Sequence, residues 1–269
     1  MFRKSLLAFA MVALFAPLAH ADSLDVILSK HYDAEGGLDN LKKCQSMRFT
    51  GKMAMGPGME APFTLEKKRP GMSRMEFTFS GMTGVQAYDG TQAWQVMPFA
   101  GKKDPEPMSA DDSKEFADQA DFDGPLVDWK AKGHTLEYVG HESIEGADTY
   151  KLKLTKKSGQ VEYYFLDTET FLIVKEASKR TVRGTEAEVE TSLGDYKDVN
   201  GLMMPFSMTN SMKGSDHKQS MTFDKVETDV ALADARFTMP AAADTSHAAA
   251  AAPAKPAAKK PAAKTAKGK

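Results

Sequence analysis

Apolar and polar residues alternate with a period of two in run after run of this chain, and each run is cut off by glycine or proline. Phe49, Met53 and Met55 alternate with Arg48, Lys52 and Ala54, Phe63 and Leu65 with Thr64 and Glu66, and Met75, Phe77 and Phe79 with Arg74, Glu76 and Thr78. A strand turns successive side chains to opposite faces, so each run has one apolar face and one wet face. Gly56-Pro57-Gly58 and Arg69-Pro70-Gly71 separate these runs and read as tight turns. Trp94 and Val96 follow a turn at Tyr88-Asp89-Gly90.

Alternation resumes in the second half. It covers Tyr150 to Leu154, Val161 to Phe165, Phe171 to Val174, Ala187 to Thr191, Met204 to Met208, and Met221 with Phe223. About ten strands joined by short turns predict a mainly β domain built on one antiparallel sheet, apolar on one side and charged on the other.

Something must cover the apolar side, and the chain supplies short helices for it. Leu24, Ile27, Leu28 and Tyr32 fall at helical spacing behind a Ser23 cap, and Gly36-Gly37 ends that helix near Glu35. A second turn follows from Leu38 to Lys43. Ser109 caps an acidic helical start at Asp111 and Asp112 that runs to about Ala120, and Gly124-Pro125 opens a further helix that stops at Gly133. The expected architecture is a curved, unclosed half-barrel with a few short helices across its open side.

The two ends differ from this body. Arg3 and Lys4 precede an apolar run from Leu6 to Leu18 that closes on Ala19-His20-Ala21, the pattern of a cleaved secretory signal over residues 1–21. That run is shorter than the roughly 20 apolar residues of a membrane-spanning helix, so export to the periplasm is expected rather than membrane integration. Residues 241–269 hold 14 alanines, 6 lysines and 3 prolines, which gives them almost nothing to bury and predicts a disordered basic tail. Setting aside Arg3 and Lys4 and the tail's net +5, the chain's −2 leaves −9 on residues 22–240. An acidic body with a basic tether is matched to anionic envelope surfaces, and export separates the tail from nucleic acid. Cys44 is the only cysteine, so no intramolecular disulfide forms, and its place at a helix-to-strand junction reads as a small buried filler.

Catalytic and metal patterns are lacking. His31, His134, His141, His217 and His247 form no H-E-x-x-H or i, i+4 pair, and no G-x-S-x-G elbow occurs. Gly56 to Ala61 matches a relaxed dinucleotide fingerprint, but it joins two strands and holds a proline where a helix would open. Met53, Met55 and Met59 have thioether softness for Cu(I) but no cysteine or histidine beside them. No cofactor and no enzymatic activity are expected; a hydrolase built on scattered carboxylates is the remaining catalytic option.

Three local patterns, in order, carry a resemblance. They are Lys68-Arg69-Pro70 at a strand end, then Ala87-Tyr88-Asp89-Gly90-Thr91 followed by Trp94 and Pro98, and finally Asp234-Ala235-Arg236-Phe237-Thr238-Met239-Pro240. Residues 24–240 thereby resemble the LolA/LolB-like lipoprotein-carrier family, an unclosed β-barrel with a helical lid. The resemblance implies a periplasmic carrier of lipid or lipoprotein acyl chains, with Arg69 at the position that helps hold the lid and pass cargo on. The helix and Gly36-Gly37 ahead of the first strand, the longer body and the tail depart from that pattern.

On this reading the cavity lining comprises Phe49, Met53, Met55, Phe63, Leu65, Met75, Phe77 and Phe79 from the first half. Trp94, Val96, Met204, Phe206 and Met208 complete it. The chain has seventeen methionines, whose flexible side chains suit an adaptable apolar pocket, and each buried acyl methylene is worth about 0.8 kcal/mol. The alternative is an envelope protein-interaction or stress-sensing module with the same fold, a filled core and no lipid cargo.

Overall fold

Ser23 accepts a hydrogen bond from the Val26 amide and starts helix α1, Leu24–Ala34, whose Ile27, Leu28 and His31 are buried. Gly36 and Gly37 both take positive φ, and α2 follows at Leu38–Lys43. The computed structural model describes residues 23–240 except 57, 183–184, 214 and 216–217, and no side chains at 55–56, 180–182 and 185–186. The expected signal segment and the Ala/Lys/Pro-rich tail lie outside the described residues.

The strands are β1 Ser46–Gly56, β2 Met59–Lys68, β3 Met72–Phe79, β4 Met82–Tyr88, β5 Ala93–Met97, β6 Lys102–Pro107, β7 Thr135–Ile144, β8 Ala147–Thr155, β9 Val161–Asp167, β10 Ile173–Val182, β11 Thr185–Val199, β12 Leu202–Met212 and β13 Lys218–Thr228. Among the described residues all thirteen join one antiparallel sheet in the order β6-β5-β4-β3-β2-β1-β13-β12-β11-β10-β9-β8-β7. The first and last long strands therefore meet at its middle, and β6 and β7 are its open edges.

Ten strands were expected, and β4, β6 and β7 are the additional three. β6 reads Lys-Lys-Asp-Pro-Glu-Pro and β7 alternates around exposed polar residues. Both compositions are typical of edges, which carry charge and proline and bury little. The expected helix from Gly124 to Gly133 is instead a series of turns. Asp128 sits at φ +52° in its middle, a left-handed conformation that a right-handed helix does not accommodate.

The sheet curls. β2 and β8 are seven strand spacings apart, about 34 Å on a flat sheet. Yet Lys67 of β2 reaches Asp121 O, and Lys156, just past β8, reaches Asp118, three residues earlier, both at 3.4 Å. Two apolar clusters fill the face inside the curl. α1 and Leu126 cover Leu152, Leu154, Tyr164 and Leu166 on one half, while α2 and Phe122 cover Phe49, Met53, Phe63, Phe206 and Phe223 on the other.

The segment after β13 crosses the opposite face. The Asp229 amide donates to Ser46 O, Lys68 Nζ to Leu232 O, Arg74 Nη1 to Arg236 O, and Trp94 Nε1 to Phe237 O. Phe237 has 0% of its surface exposed. Beneath this strap Glu66, 2% exposed, is held by Arg48 and Arg236 at 2.9 and 2.8 Å.

No helix among the described residues is long and apolar enough to cross a membrane.

Candidate functional site: a lidded apolar trough

The trough is a product of register. Phe49 pairs with Leu65, Leu65 with Met75, Phe63 with Phe77, and Met53 with both Ala61 and Met221. Cross-strand partners project from the same face, so these rows lie side by side. Met221 pairs in turn with Met208. Phe49, Met53, Phe63 and Phe206 are buried in the cluster, while Leu65, Met75, Phe77, Met204 and Met208 are half-buried against it and leave apolar surface within reach. At the far end Phe77 and Phe79 pack their rings 5.6 and 6.4 Å from that of Phe99. Gly84 makes room for them, because a Cβ there would lie 2.9 Å from both Phe77 and Phe99. Met82 and Phe99 extend the apolar rim into solvent.

Trp94 and Val96 are not part of this surface. Register carries Phe49, Leu65 and Met75 to Gln86 and then Gln95, which places Trp94 on the other face with Arg74 and Ala87. There Trp94, Val85 and Ala87 form a separate cluster, packed with Val96 and Met239. On β5 the apolar pair Trp94 and Val96 lies on the outer side, which the strap covers, and Gln95 faces the trough, so alternation alone assigns the wrong side. The side chain of Met55 lies outside the described residues.

Arg69 follows β2 and ties three segments together. Its Nε donates to Cys44 O at 2.8 Å and Nη2 to Leu41 O at 3.0 Å, at the end of α2. Nη1 and Nη2 also grip Asp123 Oδ2 and Oδ1 at 2.7 and 2.5 Å, and the guanidinium stacks 4.4 Å from the Phe122 ring. The hydrogen bonds from Arg69 hold the Asp123 carboxyl below the usual carboxylate range. The residues of 120–129 are a lid in the geometric sense: Phe122 plugs the trough cluster and Leu126 the other. They are reached from helix α3, Ala110–Gln119, which Ser109 caps as expected and which buries none of its residues.

Further contacts pin the lid. Tyr32 of α1 donates to Leu126 O at 2.7 Å, Lys42 of α2 pairs with Asp128 at 3.0 Å, and Lys156 reaches Asp118 at 3.4 Å. Lys67 approaches Asp121 O at 3.4 Å, and burial pushes its ammonium down from the usual lysine value. Behind the lid a cleft of about 450 Å³ opens between α3 and the β8–β9 turn, lined in part by Asp118, Lys132, His134 and Lys156. Burial, then Lys132 and Lys156, lower the His134 pKa.

Sequence reading missed Phe122, Asp123, Leu41 and Lys67. The first three belong to a lid segment or short helix with no strand periodicity, and nothing in a sequence ties Asp123 to an arginine 54 positions earlier. Lys67 breaks the apolar rule of its own face. Among the described residues no three metal-ligating side chains converge.

This is a LolA-like fold. No family model and no curated protein matches the sequence. Solved structures match its fold. A DUF1329 family protein from Desulfovibrio piger aligns over 81% of this chain and 98% of its own, with a TM-score of 0.55 and 15% identity. A LolA superfamily protein from Nitrosomonas europaea aligns over 80% and 97%, with a TM-score of 0.55 and 17% identity. A putative outer membrane lipoprotein-sorting protein domain from Vibrio parahaemolyticus aligns over 78% and 94%, with a TM-score of 0.54 and 12% identity. At such identities the likeness is one of fold.

Proposed function

We propose that the chain is a non-catalytic periplasmic carrier that shelters acyl chains of a lipid or lipoprotein in the trough beneath its lid. The observation that carries this reading is the half-buried row Leu65, Met75, Phe77 and Met208, an apolar surface continuous with the plug Phe122 and latched by Arg69. Cargo enters by displacing the plug. Each methylene that replaces plug contacts contributes about 0.8 kcal/mol, so affinity comes from chain length more than polar matching. A similarity to a lipoprotein-sorting domain supports the same assignment, and the basic tail provides a tether to anionic envelope surfaces.

The test is native mass spectrometry with lipid extraction on protein purified gently from a periplasm, beside the variant Phe77→Glu. A stoichiometric acylated adduct on the parent protein, absent from folded Phe77→Glu, is the expected result. An apo mass that persists after challenge with lipids and acylated peptides would replace the carrier with the interaction module. The packing of Ile27 against the fully buried Leu152, Leu154 and Leu166 is the observation that favours that second reading.

A further inference from the structure

One band of the inner face is polar. Register sets Gln219 opposite Asn210, Asn210 opposite Thr191, Thr191 opposite Glu176, and Glu176 opposite Tyr164. Five polar side chains from the five adjacent strands β13 to β9 thus form a single row. Tyr164 belongs to the cluster beneath α1, which puts the row on the lidded face. Ser178 and Glu162 stand opposite each other in the next row. Thr191, Tyr164, Ser178 and Glu162 are buried, a costly arrangement for polar groups unless their bonds are met.

Hydrogen bonding in the row is uneven. Tyr164 donates to Glu162 Oε2 at 2.7 Å and Thr191 to Asn210 Oδ1 at 2.7 Å. Gln219 Nε2, by contrast, donates to the thioether of Met53 at 2.8 Å, a weak acceptor. Among the described residues Asn210 meets Thr191 through Oδ1 and no buried side-chain polar atom lacks a partner, so the Asn210 Nδ2 group opens to solvent. A void of about 10 Å³ is bounded by Glu162, Tyr164, Glu176, Ser178 and Thr191, room for roughly one water or one hydroxyl.

Lys156 pairs with Glu162 at 2.8 Å. An anionic head would meet the carboxylates of Glu162 and Glu176, and an ammonium would find Glu162 already paired. The row joins the trough at Met53, which touches Gln219 and sits in the trough core. Neighbouring rows on one face are about 7 Å apart, so one molecule can place its chain in the trough and its head on the row.

We propose that this row is a head-group subsite for a hydroxyl of a neutral head, and that the cargo is an acyl chain of the glyceride class. The inference rests on the carrier reading. A hydroxyl both donates and accepts, so it can accept from the Asn210 and Gln219 amides at the trough end and add a bond to the Glu176 carboxylate beyond them, replacing water without loss of bonds.

The probes are 1-oleoylglycerol and methyl oleate, which share a chain and an ester and differ in two hydroxyls. Their affinities for the whole purified chain are read by displacement of an anilinonaphthalene dye. A preference of roughly tenfold for the glyceride is expected, the effect of one net hydrogen bond. Thr191→Val with Asn210→Leu should erase that preference with methyl oleate binding retained, which also reports folding. Glu176→Gln, which keeps the shape, should reduce the preference several-fold. Equal affinities in the parent protein, or a preference that survives these changes, would overturn the subsite alone. Failure of both lipids to bind would remove the carrier reading and the subsite with it.

Discussion

Asp123 and Arg69 make two parallel hydrogen bonds, 2.7 and 2.5 Å long, that close the lid onto the end of α2. Arg69→Leu leaves Asp123 half-buried without its partner and Leu41 O with only the Cys44 amide. A charge-assisted pair of this kind contributes about 2 kcal/mol. Hydrogen exchange of amides 120–129 should quicken by roughly tenfold to thirtyfold at that magnitude, with the strands unaffected. Arg69→Lys, which cannot form the fork, should recover only part of the protection.

The same pair makes lid closure pH-dependent. Because the Asp123 carboxyl is held below its unfolded value by Arg69, its contribution is complete above the unfolded pKa near 3.9 and is lost as pH falls through the folded one. Lid amides should lose protection on acidification below about pH 4. Asp123→Asn should show weaker protection at neutral pH and little further change on acidification; an identical acid response in this variant would assign the effect to other carboxylates.

Tyr32 gives the opposite sign. Its hydroxyl donates to Leu126 O, and burial, with Asp128 and Glu35, raises its pKa to about 12. An unfolded tyrosine ionises near 10, so the unfolded state binds fewer protons above that point and stability falls between pH 10 and about 12. Urea midpoints measured across this window should drop more steeply for the parent protein than for Tyr32→Phe. At neutral pH the variant should lose about 1 kcal/mol from the missing bond.

Much of this architecture is legible in the sequence, and the failures have physical causes. Ser23 and Ser109 were read as caps because a hydroxyl before an apolar or acidic first turn does little else, and both are caps. Family resemblance points to the lid for Arg69; its partner Asp123 has no local sign in the sequence. Alternation puts Trp94 and Val96 inside, yet Trp94 supports the strap from outside through Phe237 O. Period-two alternation reveals that a strand has two faces, and it names the inner one only when the other is wet. On β4 and β5 the covered apolar face is the outer one, beneath the strap.

The strap itself is open to test. Phe237 is fully buried and its carbonyl accepts from Trp94, so Phe237→Ala removes packing and loosens that bond. A loss of roughly 3 to 5 kcal/mol is expected, along with a red shift in tryptophan emission as Trp94 meets water. Denaturant unfolding followed by fluorescence reads both. An unshifted spectrum would mean that the strap stays in place without its anchor.

Gly36 and Gly37 look alike in sequence, and the structure separates them. Both take positive φ, +103° and +88°. A Cβ on Gly37 would meet nothing within 4 Å, so Gly37→Ala carries only the backbone cost, about 1 kcal/mol. A Cβ on Gly36 would sit 1.9 Å from Gly201 O, which also accepts from Asn40 Nδ2 at 2.9 Å. Gly36→Ala must therefore push the α1–α2 junction off the β11–β12 turn and break the bond from the Met203 amide to Glu35 O. The expected difference is a clear gap in urea midpoint, with Gly36→Ala the less stable by several times the loss in Gly37→Ala. Because that junction carries α2, whose Leu41 O is one of the acceptors for Arg69, Gly36→Ala should also raise exchange in the lid. Equal midpoints would show that the junction yields freely, and the latch would then rest on the lid residues alone.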